Sequence, residues 1–159
     1  MRGASERALN LYRESLAMKS GGEQSSILNN IAMNHADRKE YSQAIGLLRQ
    51  AIEIARSSDY KHQMAICQIN LGYVLMGDKQ YGAAGDELIA GLNFMKLVGD
   101  KHWQGVASEW LGKYAEVRDA SPFSLSVAHS WYVTAARMYL ETEEIENANR
   151  NTAKAVSLE

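Results

Sequence analysis

Four histidines, His35, His62, His102 and His129, and one cysteine, Cys67, are the side chains that could ligate a metal or serve as base and nucleophile. Their spacing argues against both roles. His62 and His102 each follow a lysine near a predicted helix start, 40 residues apart. Positions one structural repeat apart lie about 10 Å from each other, too far to share a zinc ion whose nitrogen ligands sit near ~2 Å. His35 falls on a predicted core position. Cys67 lies among Ile66 and Ile69 with no basic cluster around it, which fits a small buried hydrophobe. A single cysteine also excludes an internal disulfide and a cysteine-based zinc site. The sequence holds no HExxH, no GxSxG and no correctly spaced glycine-rich phosphate loop. The cluster Gly82-Ala83-Ala84-Gly85 with Gly91 follows no predicted strand, so close helix packing explains it better than nucleotide binding. The expectation is no catalytic residue, no metal and no cofactor, and therefore no enzyme.

Charge and composition narrow the remaining classes. The 159 residues carry 17 Lys+Arg against 19 Asp+Glu, a net charge of −2. Direct nucleic-acid binding needs a dense basic patch, which this balance does not supply. Hydrophobic residues make up 46% of the chain, enough to core one domain of this length. One proline and 12 glycines argue against disorder and against a turn-rich all-β fold. The longest apolar runs fall far short of the roughly 18 residues of a membrane span, and no apolar signal segment opens the sequence. These features predict an all-helical cytoplasmic protein with no membrane partner.

The elements that position these residues repeat. With Tyr41 set on Tyr81, Ala44 falls on Ala84, Leu48 on Leu88 and Ile52 on Leu92, a spacing of 40. Upstream, Asn30 falls on Asn70, Ile31 on Leu71 and Ala32 on Gly72. A further step sets Leu71-Gly72 on Leu111-Gly112 and Lys61-His62 on Lys101-His102. Each unit reads as two helices. Leu28, Ile31, Ala32 and His35 share one helical face, and Tyr41, Ala44, Ile45, Leu48, Ala51 and Ile52 share another. The short polar stretch Asp37-Arg38-Lys39-Glu40 between them suits an antiparallel pair. Small residues at Ala32/Gly72 and Ala44/Ala84 let the paired helices approach.

These residues resemble the tetratricopeptide repeat. Leu71-Gly72, Leu75, Tyr81, Ala84, Leu88 and Gly91-Leu92 fill the slots of one repeat. Leu28, Ile31-Ala32, His35, Tyr41, Ala44, Leu48 and Ala51-Ile52 fill the one before. The first aromatic of the pattern is replaced by Leu28 and Gln68, the terminal proline is absent, and the period exceeds the family's ~34 residues. The resemblance implies an all-α right-handed solenoid of antiparallel helix hairpins, about eight helices in all. The expected units are the second helix of a partial repeat at 4–20, repeats at 24–58 and 61–98, an irregular repeat at 101–141, and a C-terminal capping helix at 143–158. Ser20-Gly21-Gly22 is expected to end the first helix and Thr142 to cap the last. Arg118-Asp119-Ala120-Ser121 reads as a linker, with Ser121-Pro122 as a helix start. The unpaired helix at 4–20 marks the chain as a fragment of a longer solenoid, with a natural terminal cap as the alternative.

In the family, one face of the first helix of each repeat lines a concave groove. The resemblance places Asn29, Asn30, Met33 and Asp37 there from one repeat, Asn70 and Tyr73 from the next, and Glu109, Trp110 and Lys113 from the third. Asn30 and Asn70 offer donor and acceptor together and suit capture of an extended backbone. Met33, Tyr73 and Trp110 supply apolar contact, and Glu109 and Lys113 charge selection. The slots of the chaperone-type carboxylate clamp hold Asn29, Met33, Asn70, Val106 and Trp110, of which only Asn70 fits, so that partner class is excluded. The expected function is a protein–protein interaction scaffold for a peptide or helix, similar to the sensor region of bacterial regulators. The rival is a self-associating spacer that dimerises through the N-terminal helix, using Leu9, Tyr12 and Leu16.

Overall fold

Ser20 opens the first helix. The Glu23 carboxylate accepts from both the Ser20 amide and its hydroxyl at 3.1 Å, so the chain is fixed where it enters the helix. The structure, a computed structural model, describes residues 20–118 and 121–158. Helix α1 spans Gly21–Asp37, α2 Tyr41–Ser57, α3 Lys61–Gly77, α4 Tyr81–Val98, α5 Lys101–Arg118, α6 Pro122–Glu141 and α7 Ile145–Val156. These seven helices, with no strand among the described residues, form the expected all-α solenoid of hairpins. The helix expected over 4–20 lies outside the described residues, as do residues 119 and 120 of the expected linker.

Two local expectations change. Gly21 and Gly22 form the first turn of α1 and do not take the left-handed conformation of a helix stop. The glycines serve close packing: a Cβ on Gly21 would come within 1.9 Å of Ser58 Oγ, and one on Gly22 within 2.7 Å of the Tyr60 ring. Thr142 closes α6 rather than opening α7. Its hydroxyl donates to the Tyr139 carbonyl at 3.2 Å, and Glu144 precedes α7 instead. Ser121 does cap α6, its Oγ accepting from the Ser124 amide at 3.3 Å.

Five connections share one device. Lys39, Asp59, Lys79, Gly99 and Glu143 all adopt left-handed conformations, with φ of 61°, 60°, 63°, 75° and 61°. A left-handed residue stops a helix and turns the chain back along it. Only one of the five is glycine, the residue that adopts this geometry without steric cost.

Successive helices pack on each other, and α1 also packs on α3 and α3 on α5. The odd helices therefore form the inner, concave row and the even helices the outer, convex one. One continuous apolar core runs from Leu28 on α1 to Leu111 on α5. Its centre is α3, enclosed on most sides, with Cys67, Ile69, Val74 and Leu75 out of solvent. Burial also pushes the Cys67 thiol pKa up, which keeps it protonated and unreactive. Beyond α5 the core divides into two smaller clusters built around Tyr132 and Tyr139.

Candidate concave binding surface

The inner row carries the residues singled out for binding, in three arrangements. Asn29 and Asn70 come together. Both are buried, and Asn70 Nδ2 donates to Asn29 Oδ1 at 2.8 Å, joining α1 to α3. Asn30 is exposed, and its carbonyl accepts from Asn34 Nδ2 at 2.9 Å. The two asparagines aligned by sequence thus sit in different settings: Asn70 inside the wall, Asn30 on its surface.

Tyr73, Trp110 and Lys113 also meet. The Tyr73 and Trp110 rings lie 4.3 Å apart at centroid, tilted by 31°, and bridge α3 to α5. Lys113 Nζ stands 5.3 Å from the Trp110 centroid, a cation over an aromatic face. Both rings are half-buried and pack against the core edge, while Lys113 is exposed. Burial raises the Tyr73 pKa, helped by the charge of Asp37 and by Tyr41. Asp37 is exposed at the end of α1, and Met33, one turn earlier, is half-buried against the same core. The surface therefore has an aromatic step in its middle, a carboxylate toward α1 and an ammonium on α5.

Glu109 is engaged inside the fold. Its carboxylate accepts from Tyr139 Oη at 3.1 Å, from Arg150 Nη2 at 2.9 and 3.0 Å, and from Asn151 Nδ2 at 3.2 Å. It ties α5 to α6 and α7. The Glu109 bond raises the Arg150 pKa further, keeping the pair charged. Sequence reasoning missed Tyr139, Arg150 and Asn151 as partners. The available signal was a spacing of seven residues shared by Gly105/Gly112, Glu109/Glu116 and Tyr132/Tyr139, since Tyr132 Oη likewise donates to Glu116.

His62 and His102 each pair across to a later connection. His62 Nε2 pairs with Asp100 Oδ2 at 2.8 Å, and His102 Nδ1 with Glu144 Oε1 at 2.7 Å. Each histidine contacts the residue that precedes the next odd helix. Burial pushes the Asp100 pKa up, but the Trp103 amide and His62 outweigh it and hold the carboxyl below its usual value. At Glu144, burial is likewise outweighed by His102, Thr142 and Asn147. His35 is half-buried and pairs with Glu40. Among the described residues, no three His, Cys, Asp or Glu side chains group in a way that could hold a metal. No helix among them is long and apolar enough to cross a membrane.

Residues 25–58 match the family model of the tetratricopeptide repeat. Over that stretch the chain is similar to the tetratricopeptide repeat. The match covers α1, α2 and the turn between them, the hairpin that supplies Asn29, Asn30, Met33 and Asp37. The crystal structure of BtubC (BKLC) from P. vanneervenii is similar with a TM-score of 0.67, over 99% of this chain and 74% of that one, at 13% identity. At that identity the likeness speaks for the fold alone. No curated protein sequence matches the chain.

Proposed function

We propose that this chain is a protein–protein interaction module whose concave face takes an extended peptide or a helix from a partner. The observation that carries the reading is the half-buried Tyr73–Trp110 step with Lys113 over it. Large aromatic rings that are rigidly held yet accessible lose little conformational freedom on binding, and they are over-represented among the residues that dominate interfaces. Asn30 offers its amide to a partner backbone, and Asn70, bonded to Asn29, stiffens the wall behind it. Asp37 and Lys113 give the surface opposite charges along its length. Glu109, already held by three side chains, acts by fixing the helix that presents Trp110. Because three odd helices from successive hairpins build one wall, a bound segment would also bias the angles between hairpins, as in the sensor region of a regulator.

Display-selected peptides titrated against wild type, Trp110→Ala and the outer-face control Arg49→Ala test this reading. We expect Trp110→Ala to weaken binding about ten-fold or more, roughly 1.4 kcal/mol, and Arg49→Ala to leave it unchanged. Equal affinity for all three proteins, with circular dichroism confirming their folding, would move the site off this face.

A further inference from the structure

The inner row changes charge from one helix to the next. Helix α1 carries Glu23 and Asp37 and no lysine or arginine. Glu23 holds Ser20 at the helix entry, which leaves Asp37 as the carboxylate of that wall. Arg38 and Lys39 follow in the turn that leads to the outer row. Residues 63–77 of α3 include no Asp, Glu, Lys or Arg. On α5, Glu109 and Glu116 are bonded to side chains of α6 and α7, while Lys113 stays exposed beside Trp110. Asp37 and Lys113 are both exposed, and neither is in an ion pair among the described residues. Between them stand Tyr73 and Trp110, 4.3 Å apart at centroid. Burial and then the charge of Asp37 raise the Tyr73 pKa, which puts the carboxylate near the phenol. The order across the wall is carboxylate, phenol, indole, ammonium.

We propose, on the footing that the concave face is the binding face, that it takes an extended peptide with a basic and an acidic side chain about six residues apart. The basic one meets Asp37, the acidic one meets Lys113, and apolar side chains between them cover the Tyr73–Trp110 step. The spacing comes from the helices. Asp37 is on α1 and Lys113 on α5, two inner-helix steps of about 10 Å each. An extended chain covers that ~20 Å in about six residues at ~3.3 Å each. An even spacing puts both charged side chains on one face of the strand. Alternate residues between them share that face and meet the two rings. A helix would need about 13 residues for the same span. The wall suits the extended form, because a strand leaves backbone groups unpaired and Asn30 presents an exposed amide, whereas a helix has bonded its own. A segment of uniform charge is repelled at one end or the other. Asp37 and Lys113 are solvated, so they decide which segment binds more than how tightly. Tightness comes from the rings.

A displayed library of random peptides, selected in parallel on wild type, Asp37→Lys, Lys113→Glu and Trp110→Ala, tests this. Wild type is expected to select a basic and an acidic residue about six places apart with apolar residues between. Lys113→Glu should exchange the acidic residue for a second basic one, and Asp37→Lys the basic for a second acidic one. A peptide selected on wild type should bind Lys113→Glu about ten-fold more weakly and Lys113→Gln about five-fold more weakly. Added salt should shrink both gaps. The two charged positions are exposed, and circular dichroism confirms that each variant folds. The same charge pattern selected on wild type and on both charge reversals, with Trp110→Ala still losing the peptides, would overturn this inference and leave the groove reading standing. Charges selected about 13 places apart would overturn the extended form in favour of a helix. Peptides held equally by wild type and Trp110→Ala, or a library that yields none, would overturn the groove reading and this inference with it.

Discussion

The α3–α4 and α5–α6 hairpins solve one packing problem with different side chains. In both, glycines admit large groups from the facing helix: one glycine on each helix in the first hairpin, two on α5 in the second. A Cβ on Gly72 would fall 2.5 Å from Leu88 Cγ, and one on Gly91 2.5 Å from Ile69 Cγ1. In the later hairpin, Gly112 and Gly105 meet the rings of Tyr132 and Tyr139 at 2.8 and 3.0 Å. Leucine and isoleucine fill the first space and ask nothing further. The tyrosines carry hydroxyls that need partners, and α5 supplies them as Glu116 and Glu109. Burial and these carboxylates drive both phenol pKa values up, so each ring stays a donor. Apolar contact is indifferent to small rotations, whereas these bonds fix how α5 and α6 sit along each other. The difference coincides with the point where the continuous core gives way to small clusters.

The largest effect expected is on the aliphatic side. Leu88 is fully buried, and Leu88→Ala should lower unfolding free energy by about 3 kcal/mol in urea titrations. Tyr132→Phe keeps the ring and removes one hydroxyl, and should cost about 1 kcal/mol. Equal losses would erase the distinction between the hairpins. Next comes Glu109→Ala, which strips partners from Tyr139, Arg150 and Asn151 and should cost about 2 kcal/mol. Hydrogen exchange should show its loss of protection concentrated in α6 and α7; uniform loss would mean that Glu109 is not a local tie.

A smaller effect concerns acid. Asp100 and Glu144 have depressed pKa values, so each contributes stability above about pH 4, the ordinary carboxyl range, and loses it as pH falls through the folded value. Both pairs are partly solvated, which limits the contribution to under ~1 kcal/mol each. The stability gap between wild type and an Asp100→Asn/Glu144→Gln variant should therefore close as pH drops below about 4. A gap that widened in acid would contradict the sign. Smallest is the turn of the aliphatic hairpin. Lys79 holds φ at 63°, so Lys79→Gly should raise the thermal midpoint, by about 0.5 kcal/mol in stability once glycine's chain entropy is subtracted. No gain would mean that the lysine stem makes compensating contacts there.

The hairpins themselves were legible because apolar and small residues recur with helical spacing, and Gly72 and Ala32 mark close approach. Individual roles were less so. Asn29 and Asn70 are 41 residues apart, and nothing in the order of residues says that one amide will face the other rather than solvent. Glu109 reads as a surface charge until α7 is placed, because Arg150 and Asn151 lie on a helix that looks like a solvating cap. Gly21 and Gly22 read as a helix end because glycine serves turns and tight contacts alike; only the position of Ser58 and Tyr60 decides between them. Helical faces are local properties of a sequence, whereas these pairings depend on the angle between hairpins.

That angle leaves an optical trace. Tyr73 belongs to one hairpin and Trp110 to the next, so their overlap is set by how far the two units are splayed. Any load that opens or closes the solenoid there changes the surroundings of the indole before it breaks a single helical hydrogen bond. The emission of Trp110 is thus a built-in readout of curvature, located on the face proposed to take a partner.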